Sequence, residues 1–119
     1  MLTGTSKTGK AGERFAEAYI KKLGFHLLDS NWRRPWGELD LVAEKEGIVH
    51  FIEVKASSAP AEGFEPQLRA DPKKMKKVER TARTWLVANR YPWDQPWQMD
   101  VIAIIGPEGD GSVEFFENV

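Results

Sequence analysis

Residues 37–55, GELDLVAEKEGIVHFIEVK, hold two runs rich in Leu, Val, Ile and Phe, separated by EKEG. Each run has the composition of a buried strand, and the separator reads as a hairpin turn. Glu38, Asp40, Glu53 and Lys55 are nevertheless set among the apolar residues. Ionised groups on buried strands are costly unless paired or bound to a metal, so whatever compensates these four constrains both fold and function. Side chains alternate along a strand, which puts Phe51, Glu53 and Lys55 on one face and Ile52 and Val54 on the other. With Glu46 and Gly47 as the turn, the numbers of paired residues sum to 93. Asp40 then faces Glu53 and Glu38 faces Lys55, an arrangement that a slip of one residue would destroy.

Directly opposed residues have β-carbons about 5 Å apart, close enough for two carboxylates to reach one hard cation. Magnesium or manganese suits such a pair, because Mg²⁺ takes one or two carboxylates and completes its shell with waters and substrate phosphate oxygens. Lys55 would lie about 7 Å along the same face, where an ammonium group can stabilise phosphorane charge or orient an attacking water. These are the parts of metal-assisted phosphodiester hydrolysis. The same spacing also suits solvated cross-strand ion pairs worth about 0.2–1 kcal/mol each, and spacing alone does not separate the two.

The rest of the chain frames this hairpin. Its 119 residues suit one domain with one core, and the absence of cysteine removes disulfides, thiolate zinc sites and cysteine nucleophiles. The N-terminal MLTGTSKTGKAGERF lacks an apolar signal region, and the longest apolar run is VIAII at 101–105, far short of a membrane span. The expectation is a soluble, cytoplasmic protein with no membrane partner. The net charge of −1 gives no global reason to expect nucleic acid, but charge is segregated. Residues 69–90 carry eight bases against two acids, a local +6, and residues 91–119 carry six acids and no base.

Ala11, Phe15, Ala18, Tyr19 and Leu23 recur at helical spacing ahead of Gly24, which predicts a helix over 10–23 with a glycine C-cap. FHLLDSNW at 25–32 reads as a short strand and WRRPWG as a loop, since Pro35 has no amide donor. Residues 57–72, with three prolines, read as a long loop. From Pro72, the positions Met75, Val78, Ala82, Trp85 and Leu86 mark the apolar face of a second helix. WQMDVIAII and SVEFFEN follow as strands. The order αβββαββ, with a right-handed crossover between the third and fourth strands, predicts a single α/β domain: a central mixed sheet flanked by helices.

Asp40, then twelve residues, then Glu53-Val54-Lys55 resembles the D…(D/E)xK signature of the restriction-endonuclease-like superfamily of metal-dependent nucleases. More specifically, GERFAEAYIKKLGF, NWR, GELDLVA, FIEVK, KKMKKVERTARTWL and MDVIAI resemble, in order, the blocks of the YraN-like family across about residues 9–105. That family is largely uncharacterised and is related in fold to archaeal Holliday junction resolvases. The resemblance implies a restriction-endonuclease-like fold and a magnesium or manganese site held by Asp40, Glu53 and the Val54 carbonyl, with Lys55 as the superfamily lysine. Glu13 matches the acidic residue often added from the first helix; a solvated glutamate is the alternative. Glu38 matches the glutamate of the GE.D block, as a partner to Lys55 or an outer-shell residue. Where the family commonly has a base two positions after the lysine, this chain has Ser57, which puts substrate affinity in doubt more than the metal site.

Lys74 matches a family lysine and, with Lys77, is expected to face substrate near the N-terminus of the second helix, where the dipole favours an anion. Arg33 and Arg34, bracketed by Trp32 and Trp36, are candidate nucleic-acid contacts; packing of the tryptophans on the domain edge is the alternative. His26 and His50 read as structural, and Asp100 as a group that either pairs with a base or supports the site. The expected function is a metal-dependent endonuclease acting on DNA, branched or junction-like DNA included, in recombination or repair. The alternative is a non-catalytic nucleic-acid-binding module on the same scaffold. Related resolvases act as dimers, which leaves a homodimer open.

Overall fold

The structure, a computed structural model, describes residues 10–57, 72–105 and 113–119. Helix α1 (Lys10–Lys22) leads into three strands, β1 (His26–Arg34), β2 (Gly37–Lys45) and β3 (Ile48–Ser57). Helix α2 (Pro72–Ala88) then precedes β4 (Trp97–Ile105) and β5 (Val113–Phe116). The strands form one sheet in the order β1-β2-β3-β4-β5, parallel between β3 and β4 and antiparallel elsewhere. The expected single α/β domain with a mixed sheet and the order αβββαββ is what forms. Of the loop expected over 57–72, Ser57 belongs to β3 and Pro72 to α2, and the residues between lie outside those described.

Local chemistry sets the boundaries. Glu46 and Gly47 have φ of 53° and 82°, the paired left-handed conformation of a two-residue hairpin turn whose twist matches that of the strands. It fixes Lys45 opposite Ile48 and carries the register that sums to 93 up to Leu41 opposite Ile52. Gly24, with φ of 95°, ends α1 as expected. The Phe25 amide donates to the Ile20 carbonyl and the Gly24 amide to the Lys21 carbonyl, the two bonds of a Schellman cap.

Two expectations are corrected. Strand β1 continues through Trp32, Arg33 and Arg34, and only Pro35 and Trp36 form the turn into β2. Proline is excluded from ladder positions that need a donor, but one set in the turn leaves the strand before it intact. The buried face of α1 is Gly12, Ala16 and Ile20, while Ala11, Phe15 and Ala18 are exposed. Small residues four apart let the helix approach the sheet closely; a β-carbon on Gly12 would already touch Ile104 and Val54.

Each helix covers one face of the sheet. Ala16 and Ile20 of α1 pack with Phe25, Leu41, Ala43, Ile52, Ile102 and Ile104. Ala82, Trp85 and Leu86 of α2 pack with Leu39, Val42, Val49, Phe51 and Met99. Trp85 is core, as its spacing predicts, and its indole N–H also donates to Asp29 Oδ2 at 2.9 Å. Leu39 and Val42 both belong to the α2 side although they are three residues apart in one strand. The two-residue alternation therefore breaks between them, beside Asp40.

Candidate functional site

Strands β2 and β3 stop pairing at Leu41 and Ile52, one step before Asp40 and Glu53. Beyond that point the Asp40 carboxylate takes over from the backbone: its Oδ2 accepts the Val54 amide at 2.9 Å. A side-chain oxygen thus satisfies a β3 donor that the ladder leaves unpaired. The sheet opens here into a cleft of about 1030 Å³, floored by the ends of β2 and β3 and walled by the β1–β2 turn on one side and the first turns of α2 on the other.

The cleft gathers most of the candidates taken from the sequence. Asp40, Glu53, Val54 and Lys55 line it, together with Glu38, Arg33 and Arg34 from the hairpin and Lys74 and Lys77 from α2. Lys73 also lines it, an addition to the expected pair. Glu13 does not line the cleft, but its charge acts on Asp40 from α1. Asp40 has its pKa raised from 3.8 to about 7. Burial is the largest cause, and the charges of Glu13, Glu53 and Glu38 add to it against the opposing pull of the Val54 amide. An anchored carboxylate whose charge is penalised by three neighbours of the same sign is one that a divalent cation would stabilise.

Neither expected facing forms as a ladder pair: the β2–β3 ladder ends at Leu41 and Ile52, short of both Asp40 with Glu53 and Glu38 with Lys55. Because β1 runs on to Arg34, Glu38 sits opposite Arg33 in that ladder and pairs with it at 3.5 Å between Nε and Oε1. Lys55 Nζ instead lies 3.6 Å from Glu53 Oε2 within its own strand, leaving both on the face predicted for them. Among the described residues there is no cluster of three or more His, Asp or Glu side chains disposed to hold a metal ion. The pair Asp40 and Glu53 is the smaller donor set that suits an ion completing its shell with water and phosphate oxygens.

Contacts that the sequence did not disclose join the hairpin to α2. The Arg80 guanidinium lies over Trp36 at 4.4 Å, and within β1 that of Arg34 lies over Trp32 at 3.8 Å. A β-carbon on Gly37 would lie 2.4 Å from Thr81 Oγ1, so the glycine of GELD is the residue that lets β2 touch the helix. The only warning in the sequence was a glycine opening a strand. His50 and Asp100 pair in the interior, with His50 Nδ1 2.6 Å from Asp100 Oδ2, while Asp100 Oδ1 accepts the Gln98 side chain and the Asn118 amide and Asp100 also lines the cleft. His26 is exposed on β1.

A hairpin and a parallel crossover meeting at one carboxylate-floored opening define an α/β protein with its site at the point where the sheet splays. Comparison with known sequences narrows this class to a family: the chain belongs to the Uncharacterised protein family UPF0102, whose model matches residues 12–104. A UPF0102 protein of Wolinella succinogenes is 31% identical over 111 residues, covering 93% of this chain and 94% of its own. One of Campylobacter fetus is 32% identical over 111 residues, covering 93% and 91%. One of Geotalea daltonii is 37% identical over 100 residues, covering 84% and 77%. No helix among the described residues is long and apolar enough to cross a membrane.

Proposed function

We propose that the protein is a magnesium- or manganese-dependent nuclease that hydrolyses phosphodiester bonds in DNA, with branched DNA among its substrates. The observation that supports this most is the convergence of Asp40, Glu53 and Lys55 in one cleft facing the lysines of α2. Asp40 and Glu53 would hold the ion, with the Val54 carbonyl as a further donor and Glu13 adding negative charge from α1. When bound, the ion supplies Lewis-acid polarisation of the scissile phosphate and a water of lowered pKa.

The remaining steps belong to the chain. Lys74 and Lys77 draw the phosphate backbone into the cleft and hold it. The Lys55 ammonium, kept in place by Glu53, neutralises charge that builds on the phosphoryl oxygens as water adds and the bond to the leaving oxygen breaks. The Val54 amide fixes the direction of the Asp40 carboxylate, so that a ligand position is set before substrate arrives. Arg33 is engaged with Glu38 and contributes to the cleft wall.

Cleavage of end-labelled duplex and four-way-junction DNA, with manganese and with chelator, tests the reading. Wild-type protein is expected to cut at least one of these substrates only with metal. Asp40→Asn, Glu53→Gln and Lys55→Ala should each lower the rate at least about 100-fold while retaining the wild-type circular dichroism. Cleavage that survives all three changes contradicts the proposal. Salt-sensitive binding without metal-dependent cleavage would make the protein a nucleic-acid-binding module on the same scaffold.

A further inference from the structure

Outside the cleft, the solvent side of α2 presents an open, shallow face made by Lys76, Glu79, Arg80, Arg83, Thr84 and Val87. Three bases against one acid give it a charge of +2, in a chain whose net charge is −1. Two of the bases lie over indole rings, Arg80 over Trp36 at 4.4 Å and Arg83 within cation–π range of Trp97 at 5.5 Å. An arginine drawn to an indole face gives up part of its rotamer freedom, so it loses less entropy when it binds a phosphate.

The cleft and this outer face share a boundary. Trp36 lines the cleft, and the arginine on its ring belongs to the outer face. Along α2, Lys73 and Lys77 belong to the cleft and Arg80 and Arg83 to the outer face. Lys73 to Arg83 covers about 15 Å of helix axis at 1.5 Å per residue, comparable to four or five steps of a DNA strand at about 3.4 Å each.

We infer that the outer face of α2, centred on Arg80, Arg83 and Lys76, is a second DNA contact that grips the backbone of a duplex arm leaving the cleft past Trp36. This rests on the proposed nuclease reading and specifies the substrate: the scissile strand is in the cleft, and at least one flanking arm of several base pairs lies on α2. The contacts are to phosphates, so they add affinity without sequence preference.

Binding of a four-nucleotide single strand and of a 20-base-pair duplex, with calcium as the divalent ion and across a range of salt, tests the inference. Wild-type protein should bind the duplex at least about tenfold more tightly. R80Q/R83Q should remove most of that gain and flatten the plot of log affinity against log salt by about 2, because two phosphate contacts are lost. R80K/R83K, which keeps the charge, should restore most of the slope. Lys76→Gln, at an exposed position, should lower the slope by about 1 and serves if the double variant fails to fold. Unchanged length gain and slope in these variants, or a wild type that binds both probes equally, overturns the outer contact while leaving the cleft reading intact. A wild type that binds neither probe overturns both.

Discussion

Asp40 is held by one hydrogen bond and pressed by three like charges. In the metal-free protein its carboxyl titrates near 7, whereas the unfolded chain titrates it near 3.8. Between these values the native state binds more protons than the unfolded state, so stability falls as pH rises from about 4 to about 7. At about 1.4 kcal/mol for each tenfold change in proton affinity, the ionised carboxylate costs the metal-free fold on the order of 4 kcal/mol at pH 8. Asp40→Asn keeps an oxygen for the Val54 amide and removes the charge. Urea denaturation with chelator should therefore show the variant more stable than wild type at pH 8, with the advantage gone near pH 4. Manganese should raise the melting temperature of wild type and leave that of Asp40→Asn unchanged. Glu53 and Lys55 were legible in the sequence as neighbours on one face because side chains alternate along β3, whereas the placing of Asp40 was not, because the alternation of β2 breaks beside it. The Val54 bond was not, because it depends on where the ladder stops, and the partner of Glu38 was not, because it depends on the true end of β1.

Elements meet this site through close contacts as much as through charge. Thr81 is buried, β-branched and bonded through Oγ1 to the Lys77 carbonyl, so it cannot turn away cheaply from a side chain at position 37. Gly37→Ala should cost about 1–3 kcal/mol. Thr81→Ala in the same chain should recover part of this loss, because it removes the atom 2.4 Å from the new methyl group. Equal losses in the single and double variants would show that the contact is not the cause. At the other end of α2, Arg90 occupies the left-handed position of a C-cap, with φ of 61° and the Tyr91 amide donating to the Leu86 carbonyl. Arg90→Gly should stabilise the protein by about 1 kcal/mol in thermal or urea unfolding. Turn and cap signals such as Glu46-Gly47 and Gly24 were readable because local dihedral demands select residue types. The face of α1 was not, because hydrophobic spacing favours Phe15 and Ala18 whereas close approach to the sheet favours Gly12 and Ala16.

Across the whole molecule, the crossover through α2 predicted that β3 and β4 are parallel, as they are, and the two-residue turn at Glu46-Gly47 makes β2 and β3 antiparallel. That topology brings the splayed ends of β2 and β3 beneath the basic start of α2, which sets part of the basic segment of the sequence over a floor that carries Asp40 and Glu53. The +6 segment was visible in the chain, but its division between the cleft and the outer face was not, since that depends on which side of α2 the sheet covers. The central claim is that the like-charged floor of this cleft is a cation site. Crystals soaked in manganese and measured at its absorption edge test this most directly. The account predicts an anomalous peak within about 2.5 Å of both the Asp40 and Glu53 carboxylates, absent in Asp40→Asn. A wild-type map with no peak between them, or with manganese bound only elsewhere, would contradict it.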